Sequence, residues 1–198
     1  MNERSRRGGV AAFAAGCLVA IAIIGPAIWD GLWLALAPAT ALLIPAASQL
    51  HAAWRPRDGW VGAVGSRILV AAAAALLVLA MVGATVTATE GMEPGWLGSV
   101  EIVAGYGLVA GAFLFGLAAL RTRLVPKWAA VTFAVSLPLG LGIDSATNAF
   151  PFGELFFFAG YGFYVGLGLF ALSLMRLGFA ARATLSPTAQ ESEASFQR

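Results

Sequence analysis

Residues 68–88 read ILVAAAAALLVLAMVGATVTA, a run without a charged side chain. At about 1.5 Å per residue, a helix of this length crosses a hydrocarbon core of about 30 Å. Five further stretches share its character. Together they predict transmembrane helices at about 10–29, 32–54, 68–88, 97–120, 125–143 and 155–177. Of 198 residues, 60% are hydrophobic and 11% charged, where an ordinary soluble domain carries roughly 25% charged. Mean hydropathy is +0.83. The expectation is an all-α integral membrane protein with three parts: a basic N-terminus (1–9), a six-helix transmembrane domain (10–182) and a disordered tail (183–198) containing Ser, Gln and Glu.

Basic residues set the expected orientation. Arg4, Arg6 and Arg7 precede the first span, and Arg55, Arg57 and Arg67 bracket a predicted loop at 55–67. Arg121, Arg123 and Lys127 fill the fourth connection; Arg176, Arg182 and Arg198 follow the last span. All 12 then lie on one side. The positive-inside rule places that side, with both termini, in the cytoplasm and the chain in the inner membrane of the cell. Trp29, Trp33 and Trp96 fall near predicted outer ends, and Trp54, Trp60 and Trp128 near inner ends, where indoles favour the headgroup level. Ala14–Cys17 has some likeness to a lipoprotein cleavage site, but the apolar run continues to Trp29, too long for a signal-peptide core.

An internal repeat is visible. Ala104-Gly105-Tyr106-Gly107 recurs as Ala159-Gly160-Tyr161-Gly162, and the same offset relates Gly111 to Gly166, Phe115 to Phe170 and Arg121 to Arg176. This predicts three two-helix hairpins arranged as parallel repeats. Gly107 with Gly111, and Gly162 with Gly166, have the small-xxx-small spacing that lets helix backbones approach in lipid. They are expected to pack helices within the bundle, a homodimer seam being the second possibility.

Counting closes much of membrane enzymology. His51, Cys17 and Lys127 are each the sole residue of their type. One histidine cannot ligate membrane haem or di-iron centres, and one cysteine makes neither a disulfide nor a CxxC pair. Lys127 lies at a predicted membrane edge, away from where a retinal Schiff base would sit. Asp58-Gly59 resembles the start of an alcohol-phosphotransferase motif, but the further aspartates that hold its metal are missing. No GxSxG elbow occurs. The expectation is a non-enzyme without a cofactor.

The remaining candidates are carboxylates. Asp30, Glu90, Glu93, Glu101, Asp144 and Glu154 fall on or near the predicted outer side without basic partners in sequence. Asp144, Asn148 and Glu154, with Glu101 and Asp30, form the candidate ligand or cation site. The competing reading is a set of solvated charges, some complementing helix N-termini. Pro38, Pro45 and Pro138 each free a carbonyl four residues back, and Thr40, Ser48 and Gln49 are nearby groups that could satisfy one. His51 is read first as an interfacial anchor and second as a pH sensor. The basic inner side should attract anionic lipid headgroups. Besides the bilayer, the expected partner is another membrane protein or a second copy, and not nucleic acid.

The linker 121–130, RTRLVPKWAA, carries an arginine, a short spacer and Val125-Pro126-Lys127-Trp128-Ala129 before the next span. It resembles a hairpin, with Leu-Pro-Arg-Trp-Ala at its centre, of small bacterial six-span membrane proteins of unknown function, over about residues 97–177. The paired hairpins also resemble the six-span acid-stress membrane family. Neither resemblance implies catalytic residues. Two functional readings follow: a non-enzymatic scaffold or accessory subunit, or a small transporter or cation-binding protein using the acidic outer end. An intramembrane enzyme ranks third. Few polar groups lie mid-span, among them Thr40, Thr85, Tyr106, Ser136 and Tyr161, and this favours the scaffold.

Overall fold

The computed structural model describes residues 3–24, 35–90, 95–149 and 161–183, and they form no strand. The elements are α1 (Glu3–Ile24), α2 (Leu36–Glu90), α3 (Gly95–Thr122), α4 (Lys127–Ala149) and α5 (Tyr161–Ala183). Four stretches are long and apolar enough to cross a membrane: Arg6–Ile24, Arg57–Val86, Ser99–Thr122 and Tyr164–Ala181. Lys127–Ile143 is a shorter apolar helix. The protein is therefore built to be embedded in a membrane.

α2 is two helices joined at one residue. Gly59 has φ 62° and ψ −161°, outside the helical region, a conformation that costs a side-chain-bearing residue dearly. The loop expected at 55–67 is thus not a loop: it is helical on both sides of Gly59. One glycine does the work that the sequence reading assigned to a whole connection.

Contacts at the glycines fix helix directions. A Cβ at Gly8 would lie 3.1 Å from the Leu50 nitrogen, which seats the start of α1 against the N-terminal limb of α2. If that limb ran parallel to α1, the path from Ile24 to Leu36 would exceed its extended reach of roughly 40 Å. It therefore runs antiparallel. Along the C-terminal limb, Gly65 meets Phe115, Leu69 meets Gly111 and Ala72 meets Gly107, the pattern of an antiparallel pair with α3. Gly9 and Gly16 meet residues 171–181 of α5, and Gly140 meets Gly162 and Gly166 across α4 and α5. The result is a closed ring: α1 on the N-terminal limb and α5, α5 on α4, α4 on α3, and α3 on the C-terminal limb.

The α3–α4 connection is equally short. Arg123 adopts φ 55°, while the Thr122 hydroxyl donates to the Ala119 carbonyl and accepts from the Leu124 amide. The Pro126 carbonyl then receives the amides of Ala129 and Ala130. Proline suits this place, because the first helical turn has no use for its missing donor.

Four aromatic rings fill the ring of helices. Trp54 stacks on Phe115 at 5.4 Å, Phe115 meets Phe133 edge-on at 6.2 Å, and Phe133 stacks on Phe170 at 4.9 Å. Trp54, expected near the inner end of its span, lies shortly before Gly59 and is 2% exposed. The reversal at Gly59 brings residue 54 back alongside residue 65, whose glycine touches Phe115, so the indole is covered by its own bundle. Trp60, Trp96 and Trp128 are exposed.

Candidate functional site: a buried histidine–aspartate pair at the α2 elbow

Of the five residues predicted to form an outer site, four have side chains outside the described residues. Asp30 and Glu154 lie outside the described residues, as does the tail beyond Ala183. Asp144 and Asn148 lie on α4 with side chains outside the described set, and Glu101 lies half-buried on α3. Among the described residues, no group of three or more His, Cys, Asp or Glu could hold a metal ion.

The predicted packing glycines sit at close approaches. An ideal Cβ would come within 2.5 Å of the Leu69 nitrogen at Gly111, 2.7 Å of the Ser136 carbonyl at Gly166, and 3.2 Å of the Ala72 Cβ at Gly107. The Gly162 carbonyl occupies the space where a Gly140 side chain would go.

The built polar site is elsewhere. Asp58 is 0% exposed, although it stands one residue before the elbow. Its Oδ2 lies 2.6 Å from His51 Nδ1, the imidazole side chain being 20% exposed. Two features of the sequence make this geometry. A separation of seven residues puts His51 and Asp58 on one face of the N-terminal limb, and the elbow folds the next limb over them. Gly62 then leaves room for the carboxylate: a Cβ there would lie 2.4 Å from Asp58 Oδ2.

The chemistry of the pair follows from its surroundings. A buried ion is expensive unless it is paired. Asp58 receives two compensations: a charge-assisted hydrogen bond from the imidazole N–H, and a place at the first turn of the C-terminal limb, where the helix dipole favours negative charge. Its second oxygen, Oδ1, is buried with no hydrogen-bond partner. When His51 is neutral, donation from Nδ1 leaves Nε2 as an acceptor. The pair can therefore hold a proton between two atoms and offer acceptors on both sides of it.

No known family, curated protein or solved structure matches the chain. The site therefore rests on its own geometry. Sequence reasoning treated Asp58 only as a failed phosphotransferase match, and His51 first as an anchor and second as a pH sensor. The recoverable signal was the spacing His51–Asp58–Gly62: two polar groups seven apart, and a glycine one turn beyond the carboxylate. What hid it was the assumption that 55–67 lay in solvent.

Around the pair the surface is basic. Arg55, Arg57 and Arg67 are exposed on α2. Arg176 lies over the Trp128 ring at 5.4 Å, joining α5 to α4 at the same end.

Proposed function

We propose that the protein is a six-span, non-enzymatic scaffold or accessory subunit of the inner membrane, packing against another membrane protein or a second copy. In this reading all six helical segments cross the bilayer as three hairpins of a parallel repeat. The basic end and both termini face the cytoplasm, where anionic headgroups surround the arginines.

The observation that carries the reading is the closed interior. Phe115, Phe133 and Phe170 occupy the centre of the ring in fully buried positions, where a transport path would require polar groups. The hydroxyls that sequence placed mid-span turn back on their own helices instead. Thr40 donates to the Leu36 and Ala37 carbonyls, Thr85 to those of Met81 and Val82, and Ser136 to that of Phe133, the local bonding open to such residues within a helix. Thr40 and Ser48, which donates to the Ile44 carbonyl, thus do not serve the carbonyl freed at Ala41. Tyr106 points to the outside. Repeat-related Phe115 and Phe170 both enter the aromatic core, which fits duplicated hairpins.

Large apolar side chains cover the outside of the C-terminal limb and α3: Val78, Met81, Ile102, Val103 and Tyr106 are all exposed. Photo-crosslinking from Val103 and Tyr106 in native membranes, followed by mass spectrometry, tests the proposal. A stoichiometric protein adduct, lost when the crosslinker is moved to Trp60, is expected. Adducts to lipid alone, with a transported or retained small molecule, would contradict it.

A further inference from the structure

We propose that the His51–Asp58 pair is a proton-binding site, loaded through His51 from the arginine-bearing end of the bundle. Three observations converge on it. The carboxylate is wholly buried while its partner ring is partly exposed, so the imidazole connects Asp58 to the outside. A proton taken up at His51 Nε2 releases the Nδ1 proton to Asp58 Oδ2, 2.6 Å away, while Oδ1, buried with no hydrogen-bond partner, offers that carboxylate no competing donor. The absent side chain at Gly62 maintains the space for the carboxylate. This inference is independent of the scaffold reading. A proton bound at one end of the bundle requires no path through it.

Among the described residues, the charged groups near the pair are exposed. On α2 itself these are Arg55 and Arg57 before the elbow and Arg67 after it, all exposed. From α1 come Glu3, Arg6 and Arg7, exposed, with Arg7 bonded to Glu3. From α3 comes Arg121, also exposed. Surface charges of this kind are largely screened by salt, whereas the hydrogen bond between imidazole and buried carboxylate is not. Protonation of the pair changes the charge next to Gly59, the residue at which the chain reverses. Proton occupancy therefore bears on how the two limbs of α2 are held.

The chain has a single histidine, so full-length protein labelled with 15N-histidine in lipid nanodiscs gives one pair of imidazole signals. The expected result has two parts. His51 carries its proton on Nδ1 when neutral. The imidazole signals respond to pH differently in Asp58→Asn, and a protonated-carboxyl infrared band that responds to pH is present in the native chain and lost in the variant. Should Asp58→Asn fail to fold, His51→Gln serves as the second variant, and the carboxyl band must shift in it. Identical histidine curves in native and Asp58→Asn protein would overturn the proposal. So would a carboxyl band that stays silent as the pH is varied in the native chain, which is the behaviour of a static structural hydrogen bond.

Discussion

The C-terminal limb of α2 and α3 form one antiparallel pair, yet its two halves are built differently. In the half near the elbow, Gly65, Gly107 and Gly111 bring the two backbones together, and Phe115 enters the aromatic core. In the other half, Leu79 and Ala104 head a small cluster of their own with Ala75, Leu76 and Val82. There Gly105 has nothing within 4 Å, and Val78, Ile102 and Val103 face outward. Both halves are equally apolar in sequence. The difference lies in their neighbours: the half by the elbow is enclosed by the ring, and the far half is left to the bilayer or to a partner.

That contrast can be broken from either side. Replacing Phe133 by Ala removes the ring that joins Phe115 to Phe170 and should cost about 3–5 kcal/mol, whereas Val103→Ala should cost under about 1 kcal/mol. Unfolding in mixed micelles measures both, and equal losses would mean that the two halves are not distinct. Gly111→Val places a side chain against the Leu69 backbone and should cost about 3 kcal/mol, while Gly105→Ala, open on every side, should leave the midpoint within about 0.5 kcal/mol of the parent.

Smaller effects are expected at the elbow and rim. Gly62→Ala pushes a methyl group into the Asp58 carboxylate, and the strained hydrogen bond should lower stability by about 1–3 kcal/mol. Gly142→Ala has nothing within 4 Å to meet and is the matched control in the same thermal assay. Arg176→Gln removes the cation from the Trp128 ring and should cost at most about 1 kcal/mol, read as a small fall in melting temperature.

Much of the fold was legible in the sequence, because helix in a membrane is written in long apolar runs and leaves few alternatives. The runs at 68–88 and 97–120 both fall within helices of the structure. The elbow was not legible. Arg55, Arg57 and Arg67 give 55–67 the charge of a solvent loop, and only a backbone angle shows that Gly59 alone makes the reversal. Asp58 was misplaced for the same reason. Helical periodicity continues through the charged stretch, so a side chain assigned to solvent turns inward. The outer carboxylates Asp30, Asp144 and Glu154 drew attention by their charge, and their side chains lie outside the described residues.

The reversal at Gly59, with the basic end gathered on one side of a membrane, is the claim on which the rest depends. Single cysteines in a Cys17→Ala background test it, placed as Trp60→Cys, Trp128→Cys and Trp96→Cys at exposed positions and probed in sealed vesicles with an impermeant thiol reagent. The account predicts that positions 60 and 128 react from the same side and position 96 from the other. Reaction of positions 60 and 96 from one side would contradict it.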